Sequence, residues 1–387
     1  MAHPSASWRR TRRWVSVTFA LQGGLLALIL TSLPGLKDRT GIDDTAVSAV
    51  VLTVLVFAAT GSLVAGSVAP RRGSAWVLPP AFALQIAGLL ALWFHLPYWA
   101  LFPAFAVFGF GLGLGDAGNG MQGLTVQRAY GRSIINTFFA FQTAAAIVAA
   151  LLVAAIGALD VRFEVAFIAG AVMGLVCLPK LRRGLARDPE LDVTPAEKQR
   201  LPWRTLTLLG LAVAVVYIGD GVVSTWSSIY LQDTLLATGA LVPMGYAAYQ
   251  ATVLLARLAG DYVVMRTGRA ALITGAVVMA SGGLALATFS PDPLLAILGF
   301  ALTGLGLGVI VPLTFSAAGE TAPEQMDEIV ARLNLFNYAG IVVGSAATGV
   351  IADATSMRIA ILVPAVLVLG ILLVTRIYRE RRVRAEH

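Results

Sequence analysis

FGFGLGLGDAGNGMQG, Phe108–Gly123, sets seven glycines and three polar side chains, Asp116, Asn119 and Gln122, at the end of a long apolar run. In a soluble strand–turn–helix unit, the spacing Gly113-x-Gly115-x-x-Gly118 would read as a phosphate-cradling loop. In a membrane helix the same residues read differently. Small residues let neighbouring backbones approach closely, and a carboxylate among them faces a bundle interior or a wet cavity. The rest of the chain decides between the two.

Of 387 residues, 58% are hydrophobic and 13% charged, against about 25% charged in a typical soluble domain. Apolar stretches of about 20 residues recur along the chain, each long enough to cross a ~30 Å hydrocarbon core as a helix. The chain therefore reads as an all-α membrane protein, and a nucleotide loop has no strand to stand on. Twelve transmembrane helices are expected, at 14–34, 45–69, 75–95, 97–124, 134–158, 163–179, 205–231, 241–264, 270–290, 293–316, 328–352 and 358–378. The basic lead-in Trp8–Trp14 precedes an apolar segment too long for a signal peptide, so that segment reads as the first span. The single cysteine, Cys177, allows no internal disulfide.

Basic residues orient these spans. WRRTRR, PRRG, QRAYGR, the stretch from Lys180 to Arg204, MRTGR, Arg332 and RIYRERRVR fall on one side, whereas the other side holds Lys37, Arg39, Arg162 and Arg358. The positive-inside rule then places both termini in the cytoplasm. It also accounts for the net charge of +7 without nucleic acid. The polar stretch from Lys180 to Arg204 divides the chain into six-helix bundles at 1–179 and 205–387, with 180–204 a cytoplasmic linker. The halves resemble each other: GLGLGDAGNGMQ in the fourth span faces TGLGLGVIVPLT in the tenth. Parallel repeats of this kind point to a substrate site near mid-membrane. Within the opening stretch, Gly111, Gly115 and Gly118 read as one small-residue packing face, with Gly304 and Gly308 their counterparts.

Intramembrane polar residues are the functional candidates. Asp116 and Asp220 are the proton-coupling candidates, because a buried acid must be paired or kept protonated. On a regular helix Asn119, Gly120 and Gly123 share the face of Asp116. Gln22, Asn119, Gln122, Gln142, Trp226, Tyr246, Tyr249, Gln250, Asn334, Asn337 and Tyr338 are the substrate-binding candidates. Arg71, Arg72, Arg257, Asp261, Arg266 and Arg269 are candidates for conformational gating. Histidine is nearly absent, no metal-ligand spacing occurs, and no phosphate loop of the Gly-Lys-Ser/Thr type is present. No cofactor, no metal and no enzymatic activity are expected, and transport driven by the chain's own ATP hydrolysis is excluded.

Five segments carry a family resemblance: SLPGLKDRTGIDD, GLGLGDAGNGMQGLTVQRAYGRS, GDGVVSTWSSIYLQD, ARLAGDYVVMRTGR and NYAGIVVGSAATGVIAD. Taken in order they resemble the major facilitator superfamily over essentially the full length, most closely its bacterial fucose-permease-like and YbjJ-like groups. The resemblance implies a twelve-helix alternating-access transporter, with a central cavity lined by the first, fourth, seventh and tenth helices, and makes Asp116 a candidate for proton coupling. A monomer in a bacterial cytoplasmic membrane is expected. The chain departs from the family pattern at Gln127 and Gly120 in the fourth helix and at Ser32-Leu33, and Pro70 and Met265 replace loop-signature residues, which leaves the usual loop latch incomplete. The expected cargo is a small polar organic solute such as a sugar or nucleoside, carried in symport with protons. Efflux of amphipathic compounds by the same fold, and a transporter-derived receptor or scaffold, are the alternatives.

Overall fold

The computed structural model describes residues 6–131, 134–186, 203–319 and 326–378. They form helices and no strands. In chain order these are α1 (Ala6–Thr40), α2 (Asp44–Arg72), α3 (Leu78–Trp93), α4 (Tyr98–Tyr130), α5 (Ile135–Ala158) and α6 (Val165–Gly184), followed by α7 (Trp203–Ile229), α8 (Met244–Thr267), α9 (Arg269–Phe289), α10 (Pro293–Gly319), α11 (Met326–Ala354) and α12 (Met357–Leu369). Ten helical segments among the described residues are long and apolar enough to cross a membrane. The two short of that measure have visible reasons. The apolar part of α6 is only Val165–Leu181, and α8 carries Arg257, Asp261 and Arg266. Most of the expected linker, residues 187–202, lies outside the described residues.

Local chemistry fixes the ends. Asp43 caps α2 by accepting the Ala46 amide at 2.8 Å, and Ser356 caps α12 by accepting that of Ile359, as short polar side chains do at N-termini. Gly73 after α2 and Gly268 after α8 both adopt positive φ, 86° and 77°. Each turns the chain directly into the next helical segment, and each donates its amide to the carbonyl four residues back. Only glycine takes that backbone without strain, so the two halves share one turning device. The first loop begins later than expected. The first span is expected to end at residue 34, yet α1 continues through Pro34 to Thr40, since a proline inside a membrane helix is tolerated when neighbours satisfy the freed carbonyl.

The chain divides into two compact units, Met1–Thr194 with Ala237–Ala247, and Pro195–Leu236 with Ala248–His387. In the first, α4 is embraced on three sides, which corrects the single glycine face expected from the spacing. A side chain at Gly113 would collide with the Ala58 backbone of α2, one at Gly111 with α3, and one at Gly115 with the Gln22 amide of α1. A helix surrounded by neighbours needs small residues all round, so the glycines serve different partners. Gly120 is the exception, with nothing within 4 Å of an added Cβ. In the second unit, Gly304 and Gly308 let α10 meet α8, and Gly340 and Gly344 let α11 meet the α7 backbone. Ala237–Ala247 packs with the first unit, where Tyr246 and Ala247 join a cluster with Ala146, Ala150 and Val153 of α5.

Candidate functional site

Each unit holds one of the two candidate acids partway along a helix, and hydrogen bonds define its company. In the first unit the Gln22 amide of α1 donates to Asp116 Oδ1 at 2.9 Å and to the Leu112 carbonyl at 2.9 Å. The Gln22 oxygen in turn accepts from Gln85 Nε2 of α3 at 3.1 Å. Gln85 also lies against the Gly111 carbonyl, at 3.3 Å. Both glutamines are essentially buried, whereas Asp116 is exposed. The carboxylate is thus tethered from one side and open on the other. One turn along, Asn119 is buried with its Oδ1 unpartnered. An orphaned buried amide oxygen is uncommon and needs an explanation.

In the second unit the Tyr249 hydroxyl of α8 donates to Asp220 Oδ1 of α7 at 2.6 Å. Tyr249 is buried and Asp220 half-buried. Asn337 of α11 has a buried, unpartnered Oδ1, while Tyr338 beside it is exposed.

Other candidates are engaged in packing. Gln122 is fully buried. It donates to Ser74 Oγ at 2.7 Å and the Ala186 carbonyl at 2.9 Å, and accepts from the Ala186 amide at 2.9 Å. Trp226 is likewise fully buried, donating Nε1–H to the Ser345 carbonyl at 2.9 Å across the α7–α11 contact. Tyr246 is buried in the first unit, whereas Gln142 and Gln250 are half-buried. Arg71, Arg72 and Arg257 are exposed. Arg266 is exposed with its guanidinium 4.3 Å from the Tyr262 ring, and Arg269 reaches Ser316 Oγ at 3.5 Å. The side chains of Asn334 and Asp261 lie outside the described residues.

Two polar elements escaped the sequence reading. Gln85 is a lone amide in the apolar run LPPAFALQIAGLL, and that isolation was the signal for it. The second is an ion cluster where α1 and α3 end and α6 begins. Arg39 meets Glu164 at 3.2 Å and Arg162 meets it at 3.3 Å, with Glu164 only 3% exposed. Arg39 also donates to the Leu92 carbonyl at the end of α3, at 3.1 Å. Burial alone would raise the Glu164 pKa. Its own backbone amide and the two guanidinium groups overcome that effect, and the net shift is downward.

A family model described as Major Facilitator Superfamily matches residues 15–326 and 209–387. An uncharacterized MFS-type transporter of Yersinia pestis is 27% identical over 350 residues, covering 89% of each chain. Among solved structures, a mutant of the nucleoside transporter NupG superposes with a TM-score of 0.77 at 14% identity, over 96% of this chain and all of that one. A bacterial homologue of the human lysosomal transporter Spinster, in an inward-facing unoccupied conformation, also gives 0.77 at 12% identity, over 98% and 100%. Those likenesses establish the fold.

Proposed function

The chain belongs to the major facilitator superfamily of membrane transporters, and from that premise we propose that it carries a small polar organic solute by alternating access, coupled to protons through Asp116. The observation that carries this reading is the Gln85–Gln22–Asp116 relay, which holds an intramembrane carboxylate by one oxygen and leaves the residue exposed. An acid placed so is reachable by a proton or by a hydrogen-bond donor, which suits coupling and recognition alike. Asp220, bonded to Tyr249, is the second proton-handling candidate.

The solute class follows from the unmet acceptors. Asn119 Oδ1 and Asn337 Oδ1 lack partners, and such groups favour a ligand rich in hydroxyl or N–H donors. Sugars and nucleosides fit that description. The structurally similar NupG is a nucleoside transporter, which puts nucleosides first in the panel to be tested. The same proposal includes twelve crossings, with α6 and α8 completing the set and both termini cytoplasmic. The distribution of Lys and Arg along the chain supports it. The bacterial relative fits a place in the cytoplasmic membrane.

The test is uptake by purified protein in proteoliposomes under an imposed pH gradient. Wild-type protein is expected to accumulate a solute of this class, and Asp116→Asn to abolish accumulation while retaining solute exchange. Unchanged accumulation by Asp116→Asn overturns the coupling role.

A further inference from the structure

In the second unit a groove of about 380 Å³ opens between α8, α9 and α10. Its size is within the range of about 300–1,000 Å³ typical of small-molecule sites. Its walls are almost wholly apolar, from Ala259 and Gly260 of α8, Gly275 and Met279 of α9, and Leu305 and Val309 of α10. Thr267 contributes the polar edge. The first unit treats the comparable place between α2, α3 and α4 otherwise. There the larger side chains of Val68, Leu84, Phe110 and Met121 pack over Ala65, Ala69, Ala81 and Leu114.

Charge identifies what completes the groove. Arg266 lies three residues beyond the groove residue Val263 on α8, and Arg269 three before Leu272 on α9. Neither arginine lines the groove itself; each stands one turn from a residue that does, and the Arg266 guanidinium lies over the Tyr262 ring beside it. Both sit at the end marked by Thr267, and Arg269 extends toward Ser316 of α10. The groove itself opens outward, since its lining residues Ala259, Thr267, Ala271, Gly275 and Met279 are exposed, and apolar exposure of this kind on a membrane helix faces hydrocarbon in the proposed arrangement. An apolar slot open to hydrocarbon with two guanidinium groups at one end has the chemistry of a phospholipid, since basic pockets between membrane helices bind anionic headgroups.

We infer that the groove holds an anionic phospholipid, with an acyl chain between α8 and α9 and its phosphate on Arg266 and Arg269. The lipid supplies to the second unit the apolar packing that Phe110 and Met121 give the first. Only its assignment to the cytoplasmic leaflet rests on the proposed orientation.

Native mass spectrometry of the full chain tests this with phosphatidylglycerol and phosphatidylcholine of identical acyl chains. Wild-type protein is expected to retain phosphatidylglycerol preferentially, by about fivefold for each arginine. The double change Arg266→Gln, Arg269→Gln should abolish that preference. Gly275→Leu fills the slot without a backbone clash, since nothing lies within 4 Å of an added Cβ there, and should expel both lipids. Ala259→Leu applies the same block from α8 if Gly275→Leu misfolds. Equal retention of the two lipids by wild-type protein overturns the inference. So does undiminished phosphatidylglycerol binding to a folded groove-filling variant, which would mark an ordinary basic surface. Neither readout involves Asp116, so failure here leaves the transport proposal standing.

Discussion

The acids of the two units keep different company. Asp116 is held by an amide that is itself held by a second amide, and the residue stays exposed. Asp220 takes a short hydrogen bond from a phenol, and the Tyr249 that supplies it is buried. A tether of two glutamines can shift as its acid changes state, because an amide offers both donor and acceptor. A buried tyrosine at 2.6 Å is a firmer clamp. Within the proposed mechanism, the contrast favours Asp116 over Asp220 as the proton carrier.

The largest expected effect divides the two acids. Asp116→Asn should eliminate pH-driven accumulation, whereas Asp220→Asn should slow transport and keep its pH dependence. Parallel proteoliposome assays of the two variants would reverse the assignment if the pH dependence went with Asp220 instead.

Next in size is a difference between the helix ends. In the first unit Arg39 reaches the Leu92 carbonyl with Glu164 as its counterion. In the second, Arg358 reaches the Thr288 and Ser290 carbonyls near the end of α9, with the ring of Tyr230 beneath it. Removing one member of a buried pair costs about 3–5 kcal/mol, so Glu164→Gln should markedly lower the melting temperature. Because the Glu164 pKa is depressed in the folded protein, its contribution is present above the unfolded value, 4.5, and fades as pH falls through the lower folded value. Wild-type melts should therefore lose stability in acid below that point, and Glu164→Gln should lack this component. An unaltered acid profile in the variant would remove the cluster from the account.

Smaller effects probe the tethers. Tyr249→Phe deletes a hydrogen bond to an acid and should cost about 1.5–3 kcal/mol if that acid is charged. Gln85→Leu removes a neutral bond and should cost only about 0.5–1.5 kcal/mol, both read by thermal melting. A larger loss for Gln85→Leu than for Tyr249→Phe would make the glutamine relay the stiffer of the two.

The helical class, the acids and the kinship of the halves were legible because hydropathy, charge and glycine spacing are local properties. What the sequence withheld depends on contacts between distant positions. Gln122 reads as a site residue until Ser74 and Ala186, 48 and 64 positions away, occupy its amide. Trp226 reads as an aromatic wall until its indole meets Ser345. Conversely, Gln85 gains meaning only when α3 brings it to Gln22. Single amides in apolar runs are where a linear reading is blindest, since burial says a partner exists without saying which.

Gly120 stands four residues from Asp116 with no atom near enough to obstruct a new Cβ, on a helix whose other glycines each meet a neighbouring backbone or side chain. It is therefore the vacant berth of α4. A hydroxyl or methyl installed there changes what the acid's neighbourhood admits while the surrounding helices keep their seats, so altered cargo preference can arise by a single substitution at little cost to folding.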